Sequence, residues 1–155
     1  MKACYAFFAV FLLLLSGCTT VKESIDYPVN IGTRPESITK AFDGDFFVTV
    51  MNEKTPGDGE VVRLTKQGKI QPFAKGFDEP KGIAYVEDHL YISDLQKVWR
   101  IDKQGRATVF ADTNTLPFDP LYLNDVAAAP DNSGIYVTDM GATKYMRDSL
   151  SLIHI

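Results

Sequence analysis

Two segments of this sequence match each other position by position: VVRLTKQGKIQPF at residues 61–73 and VWRIDKQGRATVF at residues 98–110. Each contains two short runs rich in Val, Ile and Phe around a Lys-Gln-Gly turn, which is the pattern of a β-hairpin. Another pair of such runs precedes each hairpin, at 35–50 and 80–95, and a third copy of that pair occupies 123–140. The sequence therefore contains a repeated unit of four strands.

The spacing of this repeat predicts the fold. The aligned apolar positions Ile38, Ile83 and Val126 lie 45 and 43 residues apart. Four antiparallel strands repeated about every 40 residues are typical of β-propeller blades, which bury their faces against neighbouring blades. We therefore expect an all-β chain: a β-propeller of four-stranded antiparallel blades over residues 34–149, truncated to about two and a half blades and unable to close. The alternative is a β-sandwich, but the matched turns favour the propeller.

The composition excludes several classes of protein. Of the 155 residues, 45% are hydrophobic and 23% are charged, as in ordinary globular domains. The net charge is −4 and the chain has no run of Lys or Arg, so we expect no nucleic-acid partner. Of its two cysteines, Cys4 lies in the predicted signal peptide and Cys18 is the predicted lipidation site, both described next, which leaves no thiol for a disulfide, a zinc site or a nucleophile.

Residues 1–17 are a predicted lipoprotein signal peptide. A lysine precedes thirteen uncharged apolar residues, 3–15, a run too short to cross a bilayer comfortably but suited to a signal sequence. The following Ser-Gly-Cys resembles a bacterial lipobox, which makes Cys18 the predicted lipidation site. Lipid on Cys18 would hold the protein on a membrane surface of the bacterial cell envelope, periplasmic or outer-facing. The alternative is an ordinary secretory signal. Residues 18–33 are predicted to be a tether.

The last six residues, 150–155, read Leu-Ser-Leu-Ile-His-Ile and break off in mid-pattern. They match the translation of a common transposon sequencing adapter. We expect them to be an artefact of that adapter and the protein to be a fragment of a longer one, so that His154 has no function. The alternative is an apolar terminal strand.

Candidate functional residues lie where the innermost strand of each blade begins. In a propeller these positions converge at one mouth of the central channel, and here they are Glu36, Lys81 and Asn124. Carboxylate and amide oxygens are the ligands that Ca²⁺ prefers, and a divalent metal there could polarise a carbonyl group. Glu36 and Asn124 are therefore candidate metal ligands; the alternatives are a surface carboxylate and a turn-stabilising amide. We expect Lys81 to be solvated.

Two aspartates recur at equivalent strand ends of successive blades, Asp94 and Asp139. This recurrence indicates that both cap local backbone amides, rather than taking part in chemistry. Trp99, in the third strand of its repeat, is predicted to pack between blades.

The repeat, and especially residues 123–141, resembles the senescence-marker-protein/gluconolactonase family of six-bladed propellers. The resemblance implies a divalent metal, usually calcium, at the channel and the hydrolysis of sugar lactones. It implies that Glu36 binds the metal and that Asn124 lies near metal and substrate. The general base, an acidic residue of a later blade, would fall beyond this chain. Where the family often has an Arg that holds the sugar acid, this sequence has Tyr122, a candidate substrate-binding residue that departs from the pattern.

Two functions follow from these features. The first is a metal-dependent hydrolase of a small-molecule lactone or related ester, of which this chain would be an inactive fragment. The second is a non-catalytic, lipid-anchored propeller that binds a ligand or protein partner on its channel face. The fold alone does not choose between them. Glu36 with Asn124 favours the enzyme, whereas Tyr122 and the lipid anchor favour the binding protein.

Overall fold

The computed structural model describes residues 28–117, 119–141 and 151–155, which form antiparallel β-sheets with a short 3-10 turn at Phe42–Gly44. The strands are β1 (Pro35–Lys40), β2 (Phe46–Val50), β3 (Gly59–Leu64), β4 (Ile70–Phe77), β5 (Pro80–Val86), β6 (His89–Asp94), β7 (Lys97–Ile101), β8 (Ala107–Ala111), β9 (Leu123–Ala128), β10 (Ile135–Asp139) and β11 (Ser151–His154). No helix in this part of the chain is long and apolar enough to cross a bilayer. The predicted signal peptide, 1–17, and the lipidation site, Cys18, lie outside the described residues.

The sheets confirm the predicted propeller fold. Strands β1 to β4 form one four-stranded sheet in chain order, β5 to β8 form a second, and β9 to β11 form a three-stranded sheet. We call these blades 1, 2 and 3. The innermost strand of blade 2, β5, contacts both β1 and β9, so the three sheets face one another through their first strands. The described residues form two four-stranded sheets and one three-stranded sheet, which do not close a ring.

Every innermost strand carries a β-bulge at the same place. Two of its residues lie opposite a single residue of the second strand: residues 36–37 opposite Thr49, residues 81–82 opposite Ser93, and residues 124–125 opposite Thr138. A bulge re-aims the side chains at the point where it interrupts the ladder. The candidate site residues Glu36, Lys81 and Asn124 therefore lie in three equivalent β-bulges.

The matched Lys-Gln-Gly turns adopt matching conformations. Gly68 and Gly105 both have φ of 79°, in the left-handed region that a residue without a Cβ adopts most easily. In each turn the glycine N–H donates to the carbonyl three residues earlier, that of Thr65 or Asp102. Gly105 has a further reason to lack a side chain, because a Cβ there would lie 2.2 Å from the carbonyl oxygen of Phe73 in blade 1.

Apolar side chains fill the spaces between consecutive blades. Phe47 of blade 1 is fully buried among residues of blade 2 that include Ile83 and Leu90. Trp99 belongs to the same layer, with its ring edge-on to Phe77 at 5.5 Å, as the sequence predicted. Between blades 2 and 3, Tyr91, Val98, Val126 and Ile135 are among the residues that form a second layer. One blade therefore has no core of its own, and each interface stabilises the two blades that share it.

Both ends of the described chain contact these sheets. Ile31, near the end of the predicted tether, packs against Val48, Val50 and Val62 of blade 1. At the other end, β11 pairs with β10 along its whole length, so residues 151–154 take the place of a third strand in blade 3. A strand at this place is what the alternative prediction, an apolar terminal strand, describes. The predicted adapter origin of residues 150–155 concerns the gene and stays a prediction.

Candidate functional site

The three bulges collect charged and polar side chains from all three blades. Glu36 and Asp125 are exposed, Asn124 is half-buried and Lys81 is buried. Asp125 follows Asn124 within the bulge of β9, and its backbone N–H donates to the hydroxyl of Thr138 at 2.9 Å. The sequence pointed to Asn124 alone in this blade, but the bulge places two consecutive residues where a regular strand would place one.

The carboxyl group of Glu36 is electrostatically coupled to the other two blades. Its partial burial raises the pKa of Glu36; the positive charge of Lys81 lowers it, and the negative charge of Asp125 raises it again, with a net rise above the ordinary value. The charges of Glu36 in blade 1, Lys81 in blade 2 and Asp125 in blade 3 are therefore coupled. The bulges thus bring two carboxylates and one ammonium group to the same region.

Asn124 is held in place through its backbone. Its carbonyl accepts a hydrogen bond from the hydroxyl of Ser93 in blade 2. Among the described residues, its side-chain amide has no hydrogen-bond partner. Its role as a metal ligand stays a prediction.

Lys81 corrects one expectation from the sequence, because it is only 6% exposed rather than solvated. Its Nζ lies 3.5 Å from Sδ of Met51, 3.6 Å from a carboxylate oxygen of Glu79 and 4.8 Å above the ring of Tyr122. Met51 belongs to blade 1 and Tyr122 to blade 3, so the neighbouring blades cover the ammonium group from both sides. Sequence alone could not show this, because the covering residues come from distant parts of the chain.

Glu79 is the centre of an ionic cluster that sequence analysis did not identify. The hydroxyl of Tyr122 donates to Glu79 at 2.5 Å, and the Nζ of Lys54 lies 3.1 Å from the same carboxylate oxygen. We call Lys54, Glu79, Lys81 and Tyr122 the Glu79 cluster. It joins blade 1, through Lys54, to blade 3, through Tyr122.

The pKa values within this cluster follow from its geometry. Burial alone would raise the pKa of Glu79, but the hydrogen bonds from Tyr122 and Lys54 and the charges of Lys54 and Lys81 outweigh it and lower that pKa. Burial, the hydrogen bond to Glu79 and the charge of that carboxylate raise the pKa of Tyr122 to about 12. The phenol is therefore a neutral donor, and its hydroxyl is already engaged by Glu79 instead of pointing to open space.

Asp94 and Asp139 cap backbone amides, as predicted from their recurrence. The buried carboxylate of Asp94 accepts from the backbone N–H of Asp78 and, at 2.7 Å, from that of Glu79. It also accepts from the indole of Trp99 at 2.9 Å. Asp139 does the same in blade 3 for the backbone N–H groups of residues 121, 122 and 141. These two caps fix the backbone that carries Glu79 and Tyr122.

The predicted cation site at the bulges stays a prediction. They contain no group of three or more His, Cys, Asp or Glu side chains placed to hold a metal ion. Glu36, Asp125 and Asn124 offer carboxylate and amide oxygens, which suit a hard cation such as Ca²⁺, but Ca²⁺ takes six to eight oxygen ligands. The donor chemistry fits calcium, and the number of donors falls short.

Solved structures with a similar fold are β-propeller proteins. A catalytically inactive variant of virginiamycin B lyase from Staphylococcus aureus, crystallised with quinupristin, matches with a TM-score of 0.54 at 20% identity over 72% of this chain. Another structure of virginiamycin B lyase from the same organism matches 84% of this chain at 19% identity, with a TM-score of 0.53. A protein named as an oxidoreductase (glucose dehydrogenase) from Thermus thermophilus matches 78% at 20% identity, with a TM-score of 0.52.

These similarities show the fold. This chain spans between 36% and 43% of the length of the matched structures, consistent with a part of a propeller. No family model matches the chain, and no curated protein sequence matches it.

Proposed function

We propose that this chain is part of a metal-dependent hydrolase of the gluconolactonase-like propellers, acting on a lactone or related ester. The observation that carries the proposal is that equivalent β-bulges, on innermost strands that both contact β5, carry Glu36 in blade 1 and Asn124 and Asp125 in blade 3. The carboxylate oxygens of Glu36 and Asp125 are ligands of the kind that Ca²⁺ prefers. Asn124, with an unengaged side-chain amide beside Asp125, adds a neutral oxygen.

In this proposal Glu36, Asp125 and Asn124 hold a divalent cation, Ca²⁺ by the nature of the donors. A bound cation of this kind supplies a Lewis acid that polarises the carbonyl of an ester or lactone. The three oxygen-bearing side chains lie at the bulges, and in this proposal they face the channel. The Glu79 cluster holds the ammonium group of Lys81 near Glu36. The positive charge of Lys81 therefore partly neutralises the negative charges of Glu36 and Asp125. The general base is assigned to a later blade, as the family resemblance implies.

Calcium titration of this chain by isothermal calorimetry tests the cation site. We expect binding that weakens at least tenfold in Glu36→Gln and in Asp125→Asn. Glu87→Gln is the matched control, because Glu87 is exposed in the β5–β6 turn and loses the same charge. If Glu36→Gln and Glu87→Gln bind calcium alike, Glu36 is not a ligand.

Hydrolysis is tested with the product of the complete reading frame and a panel of five- and six-membered lactones and simple esters. We expect turnover that stops in EDTA and returns with added Ca²⁺. Turnover that is unaffected by EDTA would contradict the metal-dependent mechanism, even if the calcium site itself exists.

The second candidate is a non-catalytic propeller that binds a ligand or protein partner. The engaged hydroxyl of Tyr122 favours it, since this position is the one at which the family often places a substrate-holding Arg. In that case the complete protein would bind a lactone or another ligand in calorimetry and release it unchanged. The absence of any turnover, together with saturable binding, would favour this function over the hydrolase.

Anchoring by lipid on Cys18 belongs to both proposals and places the protein in the bacterial cell envelope. We expect Cys18→Ser to move the protein from the membrane fraction to the soluble fraction of expressing cells. An unchanged membrane fraction would contradict the anchor.

A further inference from the structure

The ammonium group of Lys81 is the most deeply buried charge of the Glu79 cluster. The side chain of Lys81 is 8% exposed, against 20% for Glu79 and 37% for Lys54. Met51 of blade 1 and Tyr122 of blade 3 cover it, so its surroundings come from blades that the structure describes on both sides of blade 2.

The groups that surround this ammonium are weak acceptors. Its one hydrogen bond within the described residues goes to Sδ of Met51 at 3.5 Å, and a thioether accepts only weakly. The ring of Tyr122 lies 4.8 Å from Nζ, at a distance that allows a cation–π contact. The nearer carboxylate oxygen of Glu79 is 3.6 Å away, beyond the usual length of a hydrogen bond.

Glu79 divides its negative charge between two ammonium groups. The same oxygen that faces Lys81 lies 3.1 Å from Nζ of Lys54 and accepts from the hydroxyl of Tyr122 at 2.5 Å. The cluster thus holds two positive charges against one negative charge. The charge of Lys81 also reaches the bulge of blade 1, where it opposes the effect of burial on the pKa of Glu36.

A buried ammonium group attracts an anion more strongly than an exposed one does. The interaction of two charges grows as the surrounding dielectric constant falls, and burial without a close partner is costly for a charge. A carboxylate that reached Nζ of Lys81 would supply a charge-assisted hydrogen bond in place of the thioether contact. Lys81 lies in the bulge equivalent to those of Glu36 and Asn124, so such an anion would lie beside the proposed cation site.

We propose that Lys81 binds a carboxylate group of the substrate, which makes the substrate an anionic lactone or ester. This carboxylate is a substituent of the substrate and not the group that hydrolysis creates. In the proposed function the ester carbonyl goes to the cation held by Glu36, Asp125 and Asn124, which leaves Lys81 for the substituent. One ammonium group matches the single charge of a carboxylate.

The two parts of this inference have different foundations. The lactone or ester rests on the proposed function, whereas the carboxylate rests on the burial and contacts of Lys81. An anionic ligand is therefore expected for the non-catalytic propeller as well.

Methyl NMR of Met51 in the full chain tests the inference, because the Sδ atom of Met51 contacts Lys81 and its methyl signal reports on a ligand there. The probes are γ-butyrolactone-γ-carboxylate and the matching γ-carboxamide, which differ in charge and hardly in shape. We expect the carboxylate to shift the Met51 signal saturably and the amide to bind about tenfold more weakly, because it lacks the charge. Met51→Leu identifies the signal.

The titrations are run both in EDTA and with added Ca²⁺. The preference for the carboxylate should appear under both conditions, because Lys81 supplies it and not the metal. A preference that appears only with Ca²⁺ would assign the carboxylate to the cation site and overturn the proposal. Equal binding of the carboxylate and the amide in EDTA would overturn it as well.

Variants separate anion binding from a purely structural role of Lys81. Lys81→Gln should lose the preference for the carboxylate, whereas Lys103→Gln should keep it, because Lys103 is exposed in the β7–β8 turn and loses the same charge. Glu79→Gln removes the carboxylate that competes for Lys81, so it should tighten binding of the anionic probe. A structural tie between blades predicts the opposite, namely weaker binding in Glu79→Gln, and that result or a preference retained in Lys81→Gln would overturn the proposal.

Hydrolysis is measured separately with the product of the complete reading frame. Turnover of lactones with the same kcat/KM for the carboxylate and the amide would contradict this inference and leave the hydrolase intact. Carboxylate-selective binding without any turnover would contradict the hydrolase and leave Lys81 as the anion-binding residue.

Discussion

The hydroxyl of Thr49 in blade 1 donates a hydrogen bond of 2.6 Å to the backbone carbonyl of Lys81 in blade 2. The same hydroxyl accepts from the backbone N–H of Ser37 at 3.1 Å, so one fully buried side chain satisfies the bulge of its own blade and fixes the next. Ser93 repeats the donation to blade 3. These two hydroxyl groups link successive blades at the bulges that carry Lys81 and Asn124.

Replacing Thr49 with Val keeps the shape of the side chain and removes its hydroxyl. The carbonyl of Lys81 and the N–H of Ser37 lose their partner in a buried place, so we expect the free energy of unfolding to fall by about 1–3 kcal/mol. Urea denaturation measures this change. Thr108→Val is the control, because Thr108 is exposed and its hydroxyl makes only a 3.4 Å contact. Equal losses in the two variants would contradict the interblade role.

Gly82 is expected to tolerate no side chain. A Cβ there would lie 2.3 Å from the backbone nitrogen of Val126 and 2.6 Å from Cα of Asp125, and backbone atoms cannot rotate away. We expect Gly82→Ala to force blades 2 and 3 apart and to destabilise the fold by about 1–3 kcal/mol. The control is Ser37→Ala at the same bulge position of blade 1, where a Cβ is already present. Thermal unfolding of both variants decides the matter: a Gly82→Ala chain as stable as Ser37→Ala would refute the close approach.

Asp94 needs both of its carboxylate oxygens. One accepts from the N–H of Glu79 at 2.7 Å and the other from the indole of Trp99 at 2.9 Å. In Asp94→Asn one oxygen becomes an NH₂ donor that faces another donor, so we expect a loss of about 1–3 kcal/mol in unfolding free energy. The change should also shift the Trp99 fluorescence, since the indole loses its partner. Asp119→Asn, at an exposed position, should change neither quantity.

The carboxyl group of Glu36 should titrate above the ordinary Glu pKa, because partial burial and Asp125 outweigh Lys81. A raised folded-state pKa means that the ionised form is disfavoured in the folded state. Glu36→Gln should therefore stabilise the chain at neutral pH, and this gain should disappear as the pH falls through the raised pKa toward the ordinary value.

Carboxyl-carbon NMR of the wild-type chain measures the pKa of Glu36 directly. This pKa should fall toward the ordinary value in Asp125→Asn but stay above it, because the effect of burial is larger than that of Lys81. In the wild type it should also fall when Ca²⁺ is added. A pKa that calcium does not move would separate Glu36 from the proposed cation site, while leaving its coupling to Asp125 intact.

Tyr122→Phe removes a hydrogen bond that lowers the pKa of Glu79. We expect that pKa to rise, and stability at neutral pH to fall by about 1.5–3 kcal/mol, the range for a bond to a charged group. The lowered pKa of Glu79 stabilises the folded state above the ordinary Glu pKa, and that contribution is lost as the pH falls through the lowered value. The difference in unfolding free energy between Tyr122→Phe and the wild type should therefore become smaller at acidic pH. Tyr85→Phe is the control, because Tyr85 donates to Asp88 in an exposed turn; a loss as large there would contradict a special role for Tyr122.

Some residue roles could be predicted from the sequence and others could not. The capping roles of Asp94 and Asp139 were predictable, because each repeats at the end of an equivalent strand and acts on backbone a short distance away. The burial of Lys81 was not, since it depends on Met51 and Tyr122, which lie in the preceding and following blades. Asp125 was likewise passed over beside Asn124, because a two-residue bulge is a property of the pairing between β9 and β10 and not of either segment alone.

The repeat of short strands and Lys-Gln-Gly turns determined the blade and its order, because the hydrogen bonds that build a blade join segments adjacent in the chain. Tertiary structure alone decided which charged groups meet, as when Tyr122 of blade 3 donates to Glu79 of blade 2 and Lys54 of blade 1 lies beside the same carboxylate. The physical reason is the sequence separation of the interacting residues. A hairpin is specified by its own residues, whereas the pKa of a carboxyl group is set by whichever charges the packing of distant segments brings within a few ångströms of it.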